Sequence, residues 1–153
     1  MLSQDQFELI INDTTKSIQG DIIWQENSNH NPSRRFRVDI DSQMNYPIFL
    51  AGSYHPITNG LTYAIIHKIV GRIYALDMGQ DHRNPDGNMV GEIHKHRWTV
   101  DYQIRYAYIP QDITADSRNP VEVWKQFCDE AKITHQGYMH DPPPYQIDLF
   151  RDV

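Results

Sequence analysis

Leu76–Trp98 decides the fold; it reads L-D-M-G-Q-D-H-R-N-P-D-G-N-M-V-G-E-I-H-K-H-R-W. It opens as the end of an apolar run, breaks at Asn84-Pro85-Asp86-Gly87, and resumes as an alternating segment from Glu92 to Trp98. Proline presets φ, glycine accepts a positive φ, and Asn or Asp side chains bond nearby amides, so residues 84–87 spell a turn. Two strands joined by so short a connection run antiparallel. Side chains alternate along a strand, which puts His94 and His96 on one face and Lys95 and Arg97 on the other. If Asp77 and His82 lie across the hairpin, two or three imidazoles and a carboxylate are expected to form one pocket.

The same alternation extends outward in both directions. Arg35–Asp41 places Phe36, Val38 and Ile40 on one face and charge on the other. Tyr46–Tyr54 starts at Pro47 and carries Gly52, a sign of a bulge or a close backbone approach. Asn59-Gly60 is a strong hairpin signal. Leu61–Val70 and Arg72–Met78 are separated by Gly71 alone, and Ile104–Pro110 follows the central stretch. These connections are too short for crossover helices, so about six strands are expected in meander order, spanning about residues 35–110.

Helices are expected at the two ends. Ser3 caps a helix over about 4–18, with Gln6 at the capping-box position and Gly20 closing it. Asn119 and Pro120 start a second over about 120–133, whose apolar stripe is Val121, Trp124, Phe127, Cys128 and Ala131. The tail 134–153 reads as extended. The expected fold class is α+β: one domain over 1–153, with a single curved antiparallel sheet packed by an N-terminal and a C-terminal helix.

The 153 residues are 39% hydrophobic and carry a formal charge of −6. That supports a core and argues against coating nucleic acid through bulk charge, although Arg34, Arg35 and Arg37 offer a local basic groove. Cys128 is the only cysteine, so an intrachain disulfide is excluded and a reducing compartment is expected. It reads as a buried small hydrophobe. Without a secretory signal or a long apolar run, a cytoplasmic protein with no membrane association is expected.

Three chemistries suit the central stretch. His82, His94 and His96 can ligate a divalent metal as cofactor. Alternatively, His94 and His96 act as a metal-free acid/base pair, with His82 and Asp77 orienting them and a cation stabilising a phosphate. Lys95 and Arg97 face away, which leaves Arg72, Arg83 or Arg105 for that task. A third account makes Asn84, Pro85, Asp86 and Gly87 a well-formed turn beside individually satisfied histidines. Asp129 and Glu130 read as a solvated helix face, and Tyr106 and Tyr108 as a same-face pair able to stack bases.

H-R-N-P-D-G at 82–87, H-K-H-R-W at 94–98 and A-Y-I-P at 107–110 resemble a family of small uncharacterised bacterial and phage proteins. That family pairs a His-x-Asn-Pro-Asp-Gly turn with a His-x-His strand. The resemblance implies that His82, Asn84, Asp86, Gly87, His94 and His96 act as a unit, in a mobile-element setting of toxins, nucleases and inhibitors. The expected function is a phosphodiester-handling enzyme of ribonuclease-like toxin or defence type, with RNA or another phosphodiester as substrate. Its catalytic set would be His82, His94, His96, Asp77, Arg83 and Arg105. The alternatives are a non-catalytic inhibitor or adaptor that meets a protein partner through its aromatic, acidic tail, and a metal-binding domain.

Overall fold

The computed structural model describes residues 1–26 and 32–145. In chain order the elements are α1 (Gln4–Asn12), β1 (Ser17–Gln19), β2 (Gln25–Glu26), β3 (Arg34–Asp39), β4 (Ile48–His55), β5 (Gly60–His67), β6 (Gly71–Met78), β7 (Ile93–Arg97), β8 (Ala107–Tyr108), α2 (Pro120–Ala131) and β9 (Thr134–Gln136). Strands β2 to β8 form a seven-stranded sheet in which each strand pairs antiparallel with the next in sequence. This is the α+β meander that the alternation predicts, one short strand larger than expected. Among the described residues no helix is long and apolar enough to cross a membrane.

The N-terminal helix ends at Asn12, six residues before the expected limit. Its capping box is present: Gln6 N donates to Ser3 Oγ, and Ser3 N donates to Gln6 Oε1. What stops it is local competition for backbone partners. The Asp13 carboxylate accepts from Thr15 N at 2.8 Å and Thr15 Oγ1 at 2.7 Å, which turns the chain out of the helix. The fully buried Lys16 then donates to the carbonyls of Ile10, Ile11 and Asp13, so its ammonium satisfies the helix end. Residues past the turn form β1, which pairs in parallel with β9. The tail begins as an extended strand docked on β1. Residues 146–153, which include the Ile147, Leu149 and Phe150 of the tail surface expected to meet a partner, lie outside the described residues.

Both helices lie on one face of the sheet. Trp124 and Phe127 of α2 pack against Tyr63 at ring separations of 5.3 and 5.7 Å, and Phe127 meets Tyr74 at 5.3 Å. These four rings are essentially fully buried, and burying an aromatic of this size stabilises by about 1.5–3 kcal/mol. Gly52 is needed because the Phe36 ring lies directly over it; an added Cβ would sit 2.2 Å from that ring. The Asn119 side chain makes no capping bond, so α2 starts on Pro120 alone. The opposite face of the sheet carries the polar residues.

Candidate metal centre

Register fixes the site. In the antiparallel ladders Ser53 faces Thr62, Thr62 faces Asp77 and Asp77 faces His94, a row of same-face side chains across β4 to β7. His96 follows two residues along β7. His82 arrives from the loop after β6, which is held by several bonds. Asp81 Oδ1 accepts from His82 N at 2.7 Å and Gly91 N at 2.8 Å, tying the two ends together. Gly87 N donates to Asn84 O, closing the Asn-Pro-Asp-Gly turn, and Asn88 N donates to Asp86 Oδ1. The buried Asn84 side chain imitates a strand residue. It donates to Ala107 O at 2.9 Å and accepts from Ala107 N at 2.8 Å, fastening the loop to β8.

Three imidazoles converge as a result, with ring centroids 4.7 to 5.4 Å apart. One nitrogen of each ring lies within 4.8 Å of one nitrogen of each of the others. Each ring also presents a nitrogen to a backbone carbonyl: His94 Nδ1 to Gly91 O at 2.9 Å, His96 Nδ1 to Ile104 O at 2.7 Å, and His82 Nε2 to Arg105 O at 2.8 Å. A carbonyl only accepts, so each of these nitrogens carries its proton. In the neutral rings the remaining nitrogens are lone pairs. Two of them, His96 Nε2 and His94 Nε2, face Asp77 Oδ2 at 3.3 and 3.6 Å.

Lone pairs facing a carboxylate oxygen repel unless a proton or a cation lies between them. The distances bear on which it is. Charge-assisted N–H to carboxylate bonds run about 2.7–2.9 Å, shorter than either contact. With metal–nitrogen bonds of about 2.0–2.1 Å, the edge of a tetrahedral ligand set is about 3.3–3.4 Å, close to both. Asp77 is fixed for this role, since its Oδ1 accepts from Thr62 Oγ1 at 2.8 Å and Arg72 Nη2 at 3.2 Å, leaving Oδ2 to the imidazoles. Burial alone would raise its carboxyl, but His94, His96, Arg72 and Thr62 together hold it well below the usual carboxylate range. Burial likewise opposes an imidazolium at His94; the bond to Asp77, the Gly91 carbonyl and the charge of Asp81 override it and raise that ring above its ordinary value. The imidazole nitrogens lie within 4.8 Å of one another, up to about 1.4 Å wider than that ligand edge.

The cluster forms one wall of a cleft of about 680 Å³, also lined by Ser53, His55, Thr62, Arg72 and Arg105. Of the expected catalytic residues, His82, His94, His96 and Asp77 meet and Arg105 borders them. Arg83 does not: its Nη1 donates to Gly87 O at 2.8 Å, inside the turn. Sequence reasoning missed Thr62 and His55. Thr62 follows the Asn-Gly hairpin signal and is in register with Asp77, while His55 accepts from Thr58 N through Nδ1 and so carries its proton on Nε2. Tyr106 and Tyr108 do not act as a pair; the first donates to Asp86 and the second to Glu130.

Glu130 is no solvated residue either. On the helix side of β7 it accepts from Tyr74 and Tyr108 at 2.7 and 2.8 Å and stands 3.5 Å from Lys95 Nζ. Cys128 is buried, and burial pushes its thiol up, away from nucleophile chemistry.

No curated protein and no solved structure matches this chain. A family model matches residues 2–133, which contain every residue of the cluster and both helices, and the chain therefore belongs to DUF6978, a family of unknown function.

Proposed function

We propose that this chain is a metal-dependent phosphodiester hydrolase, in which His82, His94, His96 and Asp77 hold a divalent cation. The observation that carries the reading is the convergence of three imidazoles whose protons are committed to Gly91, Ile104 and Arg105 carbonyls. Metal-ligating histidines characteristically donate their second nitrogen in this way, which fixes the tautomer and aims the lone pair. Nitrogen and carboxylate donors together suit zinc and related first-row ions.

Such a cation supplies Lewis acidity towards a phosphoryl oxygen and towards an attacking water. The chain's own residues do the rest. Thr62 and Arg72 keep Asp77 oriented. Arg72 and Arg105, both at the cleft, present guanidinium N–H groups to the remaining phosphate oxygens, where charge grows during displacement. His55, whose Nδ1 accepts from Thr58 N, offers its Nε2–H as a hydrogen-bond donor to a phosphate oxygen.

The test uses chelator-treated protein with total RNA and with bis(p-nitrophenyl) phosphate. Added zinc or manganese is expected to restore cleavage, and His94→Ala and His96→Ala to abolish it. Cleavage that persists in chelator yet is lost in His94→Ala would replace this reading with metal-free acid/base catalysis. Absence of hydrolysis in every arm would overturn the enzyme altogether.

A further inference from the structure

The row that builds the metal site continues past it. Arg35 on β3 is the cross-strand partner of Ser53, so one line of same-face side chains runs Arg35, Ser53, Thr62, Asp77, His94. Five adjacent strands separate its ends by four spacings, about 19 Å. Arg37 stands two residues along β3 on the same face, its guanidinium 3.7 Å above the Phe49 ring. Both arginines are exposed, and among the described residues neither forms an ion pair with a carboxylate. Arg34 takes no part, because it turns to the other face and donates to the carbonyls of Pro32, Pro143 and Pro144.

We infer that the substrate is a single-stranded nucleic acid whose phosphate backbone crosses this sheet face from Arg37 and Arg35 to the metal site. This deepens the proposed hydrolase and rests on it for the reaction but not for the binding. Cations without partners in register with the site, a strand-spacing apart from its polar floor, suit a chain carrying a charge at every residue rather than a small phosphate ester. The single strand follows from access. His94 and His96 are only 3% and 5% exposed, at the bottom of a cleft bounded by the Ile104–Arg105 segment and the His55–Gly60 hairpin. A rigid duplex carries its phosphates on the outside of a wide, stiff cylinder and cannot lower one to residues this recessed, whereas an unpaired strand can bend in. Beyond Arg105 the exposed rings of Tyr102 and Tyr106 lie 5.4 Å apart, an outlying surface on which a base can stack. The overall charge of −6 does not oppose this, since the affinity of a groove depends on local potential, which Arg35, Arg37, Arg72 and Arg105 supply here.

The experiment measures binding by fluorescence anisotropy in chelator, so that no cleavage interferes, with labelled ten-nucleotide single-stranded RNA, its DNA equivalent and the corresponding duplex. Affinity is followed against salt. The full-length chain is expected to bind either single strand at least tenfold more tightly than the duplex. Arg35→Ala/Arg37→Ala should flatten the log–log salt slope by about 1.4, or 0.7 for each lost phosphate contact. Arg35→Lys/Arg37→Lys keeps the charge and should keep the slope, which separates loss of contacts from loss of fold. A slope unchanged in the alanine variant, or a duplex bound as tightly as the single strand, overturns the inference. Slope-dependent binding by a chain that hydrolyses no diester would retain the track and remove the hydrolase; hydrolysis of the small diester without Arg35- and Arg37-dependent binding would do the reverse.

Discussion

Strand β7 has two faces built from alternate residues of one pentapeptide, and they solve opposite problems. Towards the helices, Lys95 is fully buried with Asp112 at 2.6 Å, Glu130 at 3.5 Å and the Tyr74 ring 5.4 Å away. Tyr74 and Tyr108 donate to the same Glu130. The charges there have partners, and the arrangement locks α2 onto the sheet. Towards the cleft, His94 and His96 bring their Nε2 atoms to 3.6 and 3.3 Å from the Asp77 carboxylate, with His82 beside them. The first face pairs its ammonium within the chain, with Asp112 Oδ1 left buried without a hydrogen bond among the described residues. The second gathers three imidazoles and a carboxylate at an open cleft, where the proposed cation would sit.

Substitutions on either side should therefore separate stability from cation affinity. Lys95→Met carries the largest expected effect on the fold, a loss of about 1.5–3 kcal/mol in urea unfolding, because the half-buried Glu130 and Asp112 would lose the ammonium between them. If stability were unaffected, the helix-side network would be ornamental and the contrast would fail. Thr62→Val acts on the other side. Removing the hydroxyl that orients Asp77 should weaken zinc binding about 10–100-fold, while changing stability by only about 1 kcal/mol. A larger loss of stability than of affinity would make Asp77 a structural partner. The smallest effect belongs to Arg83→Ala, expected to stay within about 0.5 kcal/mol in thermal unfolding and to leave zinc affinity within twofold, since Arg83 caps only its own turn.

The sheet was legible because a two-residue period and turn chemistry are local properties. Alternation in Glu92–Trp98 separates the histidines from Lys95, and Asn84-Pro85-Asp86-Gly87 announces the corner between strands. What was illegible depends on who stands opposite whom. Thr62 is fifteen residues from Asp77 in sequence and its hydrogen-bond partner in space, and Arg35 joins the same row only after three hairpins set their registers. Glu130 looks solvated on a helical wheel, yet two tyrosines and a lysine reach it from strands far away in sequence. The helix end failed for a different reason: apolar spacing continued to Ile18, but the Asp13 side chain and Lys16 met the backbone's needs sooner. Arg83 shows the limit of proximity in sequence, since a cation next to a site histidine points into the turn instead.

Isothermal titration of the chelator-treated protein with zinc decides whether His82, His94, His96 and Asp77 hold a cation. The expected result is one cation per chain with submicromolar affinity, a higher unfolding temperature on binding, and a loss of affinity on the order of a thousandfold, roughly 4 kcal/mol, in His94→Ala/His96→Ala. No saturable heat with zinc, manganese or cobalt, or equal binding by the double variant, would contradict it.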